Sequence, residues 1–205
     1  MKSFLKLALV LVSLLTASHS VCADDRWTIS AGANVSHMCG QNYYLEEDFG
    51  WGPGGFIGAG YEAGLSRHWN LTPQLELSYV NNGATLSRPY FSDYLNRDQW
   101  RDSWSVLFSL PVGFRFSISE AVGMKVSAGP YMQESFHVRR YDDEGAEKIN
   151  ETIKFGDMFN CGLTGGISVE TGKHLAYLVN ARYPILKYRW SRQTLTISLG
   201  VRYYF

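Results

Sequence analysis

Residues 193–205 read QTLTISLGVRYYF and end the chain. Apolar side chains stand at every second position of this stretch, namely Leu195, Ile197, Leu199, Val201, Tyr203 and Phe205. The residues between them are mostly polar, charged or small. A period of two predicts a β-strand whose two faces meet different surroundings. Terminal residues of soluble domains are usually frayed and polar, so a strand that runs to the last residue is predicted to be held inside a sheet.

Seven earlier stretches share this period, and we therefore predict eight strands. They are residues 26–36, 55–65, 70–80, 104–116, 122–132, 159–170 and 174–183. Each is long enough for a tilted strand to cross a bilayer, which takes about 9–11 residues. Pro111 and Pro130 fall inside two of the stretches. Since proline cannot donate to a strand ladder, we expect bulges to absorb them.

The connections between the predicted strands alternate in length. Short turns follow strands two, four and six, and long loops follow strands one, three and five at about residues 37–54, 81–103 and 136–157. Short turns at one rim and longer loops at the other are typical of outer-membrane barrels, in which the turns face the periplasm. The sequence therefore predicts an all-β fold, an eight-stranded antiparallel transmembrane up-and-down β-barrel.

The first 23 residues predict export. Lys2 and Lys6 precede an apolar run from Leu7 to Leu15, and small residues follow up to Ala23. This is the composition of a secretory signal peptide, so we predict a signal peptide at residues 1–23 and one barrel domain at residues 24–205. No second apolar run of about 20 residues follows, so strands would have to cross the membrane. The predicted location is the bacterial outer membrane.

An eight-stranded barrel could also be a soluble, lipocalin-like cup with an apolar interior. The polar face argues against this, because it combines glycines with charges of both signs that suit a narrow lumen. A one-residue slip of register would turn four basic side chains toward lipid, at about 2–4 kcal/mol each at mid-depth. The charged side chains either line a path for ions or form ion pairs that close the lumen as a plug. The narrow interior favours the plug. The predicted lumen charge network is Glu62, Glu76, Arg115, Lys125, Arg182 and Arg202.

The end of the chain carries a second signal. Ser198, Gly200, Tyr203 and Phe205 resemble the C-terminal β-signal that the barrel assembly machinery recognises. An exposed final strand can pair with an assembly factor by β-augmentation. The stretches LFSLPVGFRFSI, SAGPYM, GLTGGISVE, VNARYPIL and TISLGVRYYF resemble the PorT-like family of small outer-membrane β-barrel proteins. The resemblance implies an architecture of the OmpA/OmpX type rather than an activity. It also implies that some members assist the secretion of other proteins, but no loop signature here carries that role over.

No enzyme is predicted. Barrels of the lipid A deacylase type place a histidine two residues before a serine, and none of the 5 histidines stands in that position. A barrel-embedded hydrolase acting on outer-membrane lipid or peptide stays the alternative, with His137 beside Asp142, Asp143 or Asp157 as its imagined pair. We predict no catalytic residues, no cofactor and no metal.

Composition also bears on partners. A formal net charge of zero gives no sign of a nucleic-acid partner. The expected surroundings are outer-membrane lipid and, during assembly, the barrel assembly machinery, and we expect a monomer. Residues 88–104, RPYFSDYLNRDQWRDSW, mix aromatic side chains with arginines, which suits an extracellular protein or glycan ligand. The alternative is that these aromatic residues belong to strand ends and to an interfacial belt, which are aromatic in any such barrel. We therefore expect a structural or interaction role through the long extracellular loops.

Cys39 and Cys161 both fall near the outer rim in an oxidising compartment, so the sequence allows a disulfide between them.

Overall fold

The computed structural model of the chain describes residues 25–39, 46–87, 97–119, 121–142, 149–151, 159–187 and 193–205. These ranges contain β1 (Arg26–Cys39), β2 (Glu46–Phe49), β3 (Trp51–Gly64), β4 (Trp69–Leu71), β5 (Gln74–Ser87), β6 (Arg97–Ser109), β7 (Val112–Ser117), β8 (Val122–Asp142), β9 (Ile149–Glu151), β10 (Phe159–Thr171), β11 (Leu175–Lys187) and β12 (Gln193–Tyr204). No helix long and apolar enough to cross a membrane occurs in them. The predicted signal peptide lies outside the described residues, as do Asp143 and Asp157 of the imagined hydrolytic pair.

The strands pair antiparallel and close into a ring. Eight of them follow one another in the order β1–β3–β5–β6–β8–β10–β11–β12, and β12 returns to pair with β1. The backbone N–H of Phe205 donates to the carbonyl oxygen of Trp27 at 3.0 Å, so the last residue is tied to the first strand. The predicted eight-stranded up-and-down barrel is confirmed. We call the rim with Arg26, Phe205 and the short connections the turn end, and the opposite rim the loop end.

Two ring strands are interrupted near the turn end. β4 continues β5 across Thr72 and Pro73, and β7 continues β6 across Leu110 and Pro111. The pairing register with the neighbouring strands is the same on both sides of each gap. β4 and β7 are therefore the turn-end parts of two ring strands.

The bulges expected at Pro111 and Pro130 are wrong. The N–H of Thr72 donates to the Pro111 carbonyl oxygen at 2.9 Å, and the N–H of Leu110 donates to the Pro130 carbonyl oxygen at 3.0 Å. A proline lacks a backbone N–H but keeps its carbonyl, so each loses one ladder bond and the register passes through it unchanged. The register shifts in the described ladders lie at Trp104/Ser105 and at Cys161/Gly162.

The ring closes with a stagger. Following paired residues once round it, from Arg26 through Glu62 to Arg182 and Thr196, returns to β1 at Ser36, ten residues beyond the start. Closed barrels absorb such an offset by tilting their strands, by about 35–45° in this class. The tilt brings one side-chain face of every strand to the interior, all the way round the ring.

Large apolar side chains cover the outside of the barrel. Ile57, Leu75 and Leu199 are 56%, 57% and 59% exposed, while the residues that alternate with them point inward. The interior is mostly polar and includes Thr28, Ser30, Asn34, Ser36, Gln74, Ser78, Ser105, Ser109, Thr196 and Ser198, all buried. A water-soluble domain buries its large apolar residues instead, whereas a membrane barrel carries an outward apolar band. The soluble cup with an apolar interior is therefore excluded.

Aromatic side chains form a belt at each rim. The contacts, with ring-centroid distances, are Trp27–Tyr61 (5.0 Å), Trp69–Phe114 (5.1 Å) and Tyr203–Phe205 (5.0 Å) at the turn end, and His37–Trp51 (5.2 Å) and Tyr79–Trp104 (5.1 Å) at the loop end. Along β1, Trp27 and His37 are ten residues apart, about 33 Å of strand. At a tilt of about 40° this is about 25 Å along the barrel axis, which matches the apolar band of outer-membrane barrels.

The loops predicted at residues 37–54, 81–103 and 136–157 are too long. β1 ends at Cys39 and β3 begins at Trp51, β5 and β6 reach Ser87 and Arg97, and β8 continues to Asp142. Strand pairing therefore continues beyond the aromatic belt of the loop end. Hydrophobic alternation stops where both faces of a strand meet water, but the backbone still has to satisfy its hydrogen bonds.

Val179 tests which face meets lipid. It lies on the outside of β11, paired with Leu199 and Ile167. Val179→Lys is expected to lower the free energy of unfolding by about 2–4 kcal/mol relative to Val179→Ala, because an ammonium group at mid-depth must leave water for hydrocarbon. Urea unfolding in lipid vesicles, followed by tryptophan fluorescence, measures the difference. Equal stability of the two variants would contradict the lipid-facing assignment.

Candidate functional site in the barrel lumen

The strand alternation directs all six residues of the predicted lumen network to the interior. Their strands alternate at these positions, and each charged residue except Glu62, whose neighbour Ala63 is buried, has more exposed residues on both sides. Arg115 is half-buried, and the five buried residues are Glu62, Glu76, Lys125, Arg182 and Arg202. The ring brings them into separate groups, which are best described by their carboxylates.

Glu62 on β3 gathers three cations. Its Oε1 accepts from Nη2 of Arg26 at 2.7 Å and from Nη2 of Arg115, and its Oε2 accepts from Nζ of Lys125. Glu62 is 1% exposed and Lys125 is 2% exposed. Burying a charge is costly unless it is paired and hydrogen-bonded, and these side chains meet that condition for one another. Together they span the lumen near the turn end.

Glu170 on β10 is a second carboxylate of the same group. Its Oε1 accepts from Nη2 of Arg115 at 3.0 Å and from the hydroxyl of Tyr204 at 3.1 Å, and it lies 3.7 Å from Nη2 of Arg26. The Arg26 guanidinium also lies 3.9 Å from the centroid of the Tyr204 ring, a cation–π contact. We call this group the Glu62 cluster: Arg26, Glu62, Arg115, Lys125, Glu170 and Tyr204.

Two arginines lie further inside. Arg182 on β11 donates from Nη1 to Oε1 of Glu76 at 2.6 Å and from Nη2 to Oγ of Ser198 at 2.9 Å. Because β5 and β11 stand on opposite sides of the ring, the Arg182–Glu76 pair ties two walls together. Arg202 on β12 donates from Nη2 to Oε1 of the neutral Gln74 at 2.7 Å. Among the described side chains, no carboxylate is paired with Arg202.

Glycines make room for two interior aromatic rings. A Cβ at Gly32 or at Gly200 would lie 2.8 Å from a carbon of the Phe56 ring, and a Cβ at Gly162 would lie 2.8 Å from Cε1 of Tyr131. Such contacts are too close for any larger residue. The rings therefore fill lumen space that the glycines leave free, which narrows the interior further.

Comparison with known proteins decides the family. The family model for the outer membrane protein beta-barrel domain matches residues 23–185. The chain belongs to this family. It is therefore a protein of the bacterial outer membrane, and in such barrels the turn end faces the periplasm and the loop end faces outward. No curated relative matches the chain by sequence.

The chain is similar to several solved structures. OprG from Pseudomonas aeruginosa is 11% identical, with a TM-score of 0.51, over 89% of this chain and 96% of that chain. Ail from Yersinia pestis is 15% identical, with a TM-score of 0.46, over 89% of this chain and 100% of that chain. A second structure of Ail, in complex with the heparin analogue sucrose octasulfate, is 16% identical, with a TM-score of 0.45 and coverages of 89% and 100%. At this identity the likeness to OprG concerns the fold alone.

Sequence reasoning missed three members of the Glu62 cluster of this outer-membrane barrel. Arg26, Glu170 and Tyr204 were not among the predicted network, although each is in phase with lumen residues of its own strand. Arg26 precedes Thr28 by two positions, and Tyr204 follows Arg202 by two. Extending the period of two to the strand ends was the signal that could have found them.

The predicted β-signal lies on both faces of the closing strand. Ser198 faces the lumen and accepts from Arg182, and Gly200 lies beneath the Phe56 ring. Tyr203 and Phe205 lie outside, in the edge-to-face contact of the turn-end belt. Each residue thus has a place in the folded barrel, and recognition by the assembly machinery stays a prediction.

The strand order argues against the disulfide that the sequence allowed. Cys161 on β10 carries a free thiol and is half-buried. β11 and β12 separate its strand from β1, which ends at Cys39. Two cysteines can bond only when their Cα atoms lie within about 7 Å, and two intervening strands at about 4.8 Å spacing exceed that distance.

Removing the central carboxylate tests the Glu62 cluster. Glu62→Gln leaves Lys125 and two arginines with Glu170 as their remaining carboxylate, and the expected loss is about 3–5 kcal/mol of unfolding free energy. The double variant Glu62→Gln with Lys125→Met should recover part of it, because the buried ammonium is gone. Urea unfolding of refolded protein measures both. A Glu62→Gln variant as stable as the original chain would show that these ion pairs contribute nothing.

Proposed function

We propose that this outer-membrane barrel is a non-enzymatic surface protein that binds an extracellular protein through a raised part of its sheet at the loop end. Within the family, we propose that it is a PorT-like member, on the strength of the sequence resemblance alone. One observation carries the functional proposal: strand pairing continues far beyond the aromatic belt on one side of the ring.

We call this raised part the wall. β5 and β6 stay paired from Tyr79↔Trp104 in the belt to Leu86↔Arg97, roughly 23 Å further at about 3.3 Å per residue. β8 accompanies β6 as far as Asp142. β2 adds to β5 and β9 adds to β8, so the strand order of the wall is β2–β5–β6–β8–β9. An antiparallel sheet of five strands is stiff enough to present a defined surface.

The wall has edges, unlike the part of the barrel inside the membrane. Within the described residues, β2 pairs with β5 alone and β9 pairs with β8 alone. A strand paired on one side offers backbone N–H and C=O groups on the other, and an extended segment of another protein can add to it there. Residues 88–104, which include the stretch between β5 and β6 and the first half of β6, are rich in aromatic and arginine residues, the types enriched at binding hot spots.

The lumen contacts support a plug rather than an ion path. The Glu62 cluster joins β1, β3, β7, β8, β10 and β12 at the turn end. The Arg182–Glu76 pair joins opposite sides of the ring further inside the lumen. Between them lies a cavity of about 30 Å³, which has room for one or two water molecules. A conducting path would need a continuous water column through both groups.

The hydrolase alternative has no support in the described residues. Nδ1 of His68 donates to the carbonyl oxygen of Arg115 at 3.1 Å, and Nδ1 of His174 donates to that of Tyr204 at 2.9 Å. Both rings lie at the turn end and serve to fix backbone. A general base needs a free nitrogen beside a nucleophile or a water that it can activate, and neither histidine has an adjacent serine or carboxylate partner in the described contacts.

Trimming the wall tests the binding role. Asn81 and Asp102 are paired, and Nδ2 of Asn81 donates to Oδ1 of Asp102 at 2.6 Å, so residues 82–101 can be replaced by Asn-Gly, a two-residue hairpin turn. We expect the trimmed barrel to fold and to lose binding to extracellular proteins, because the outer parts of β5 and β6 are gone. Nanodisc-embedded protein is measured by interferometry against a panel of purified extracellular matrix proteins, with heparin as the glycan arm.

The control for this experiment keeps the wall. Residues 188–192 between β11 and β12 are replaced by glycine and serine at equal length, which should leave binding unchanged. Binding that survives in the trimmed variant, or that heparin alone shows, would contradict the proposal. Resistance of the folded barrel to unheated SDS checks that each variant has folded.

Conductance tests the plug. The refolded chain in planar bilayers is expected to show no stable single-channel openings, because the Glu62 cluster and the Arg182–Glu76 pair cross the lumen at two levels. Discrete and reproducible openings would favour the ion path.

A further inference from the structure

The lumen cavity is lined by an unusual set of side chains. It lies between the Glu62 cluster and the Arg182–Glu76 pair, and its volume is about 30 Å³. Leu107 and Leu178 contribute apolar surface to it, and the polar side chains that matter here are Gln74, Glu76, Lys125, Ser168, Asn180, Arg182 and Arg202. Three of these seven are cations and one, Glu76, is a carboxylate that pairs with Arg182, and all four are buried.

The Glu62 cluster, the Arg182–Glu76 pair and Arg202 together carry more positive than negative charge. The cations are Arg26, Arg115, Lys125, Arg182 and Arg202, and the carboxylates are Glu62, Glu76 and Glu170. Five cations against three carboxylates leave an excess of two positive charges. Arg202 is the clearest case, because its one hydrogen-bond partner in the described contacts is the neutral Gln74. A buried charge without a counter-charge is strongly unfavourable.

The cavity lining also contains hydrogen-bond donors that have no acceptor. Among the described residues, Nε of Arg202, Nε of Arg182 and Oγ of Ser168 have no hydrogen-bond partner, and these three residues are 7%, 5% and 5% exposed. All three line the cavity. A buried donor left unpaired costs about 1–3 kcal/mol, and more when it is charged. An occupant that accepts hydrogen bonds would remove this cost.

Charge and size together select the occupant. Water could accept hydrogen bonds from the free donors but would leave the excess positive charge unneutralised. An anion accepts the same hydrogen bonds and also neutralises charge. A cavity of about 30 Å³ has room for a single-atom ion with about one water molecule, and this size favours such an ion over the larger sulfate, phosphate or carboxylate groups. We propose that this cavity is a binding site for one halide ion, chloride in the cell, held by Arg202, Lys125 and Ser168.

Unfolding in matched salts tests the proposal. The refolded mature chain in detergent micelles is unfolded with urea in sodium chloride, sodium bromide and sodium isethionate at equal ionic strength, so that charge screening is the same in each. Isethionate is too large for the cavity. Chloride and bromide should raise the urea midpoint in a saturable way, and chloride at ten times its dissociation constant should increase the ratio of folded to unfolded protein about elevenfold. Equal midpoints in chloride and isethionate would overturn the proposal and leave the cavity to water.

Two variants localise the effect. Arg202→Gln removes the unpaired cation, and Ser168→Asp supplies a fixed carboxylate in place of the ion, so both should abolish the difference between chloride and isethionate. Lys173→Gln is the matched control, because Lys173 is an exposed cation in the turn before β11 and outside the lumen. A halide effect that disappears in the control, or that persists in Ser168→Asp, would contradict the site. Line broadening of the chloride NMR signal by the unaltered chain provides a direct readout that requires no variant to fold.

Discussion

The backbone pairing of β12 with β1 is the interaction on which the rest of the structure depends. It runs from Thr28↔Tyr204 to Cys39↔Gln193 and leaves no ring strand inside the membrane with a free edge. In hydrocarbon, an unpaired N–H or C=O group costs several kcal/mol, so closure is a condition for membrane insertion. Closure also creates an interior. Only with an interior can Lys125 and Arg202 lie within the thickness of the membrane and away from lipid.

The interior is then filled by two kinds of contact. The Glu62 cluster and the Arg182–Glu76 pair connect strands that are distant around the ring, so the charges that must avoid lipid also brace the walls. The Phe56 ring occupies space above Gly32 and Gly200, where β1 meets β12. Mutual pairing satisfies most of the buried charge but leaves a positive excess beside a small cavity. A barrel of this width is therefore closed by its own side chains rather than by a separate plug segment.

The two ends of the barrel obey different constraints. Within the aromatic belts, every outward residue must suit lipid and every inward residue must fit a narrow lumen. Beyond the loop-end belt, β5, β6 and β8 remain paired to one another. Side chains there are free to serve recognition, and the backbone supplies the rigidity that a loop lacks.

Much of this could be predicted from the sequence, and the reason is the period of two. Successive side chains of a strand point to opposite faces, so alternation by itself determined that Glu62, Lys125 and Arg182 lie inside and that Ile57 and Leu199 lie outside. The number of ring strands followed from the same pattern. The hydrogen bonding of the prolines and the length of the wall could not be predicted in this way. A backbone ladder in water leaves no pattern of side chains to detect.

Which side chains meet across the lumen was decided by the tertiary structure alone. Arg182 and Glu76 are 106 positions apart, and Arg202 and Gln74 are 128 apart. Their contacts depend on the order of the strands and on the ten-residue stagger of the ring, and neither is written in any one segment. The sequence by itself determined which face each residue occupies, since that is a local property of a strand. Only the closed ring determined its partners, since neighbours across a lumen are set by how far the whole sheet is sheared.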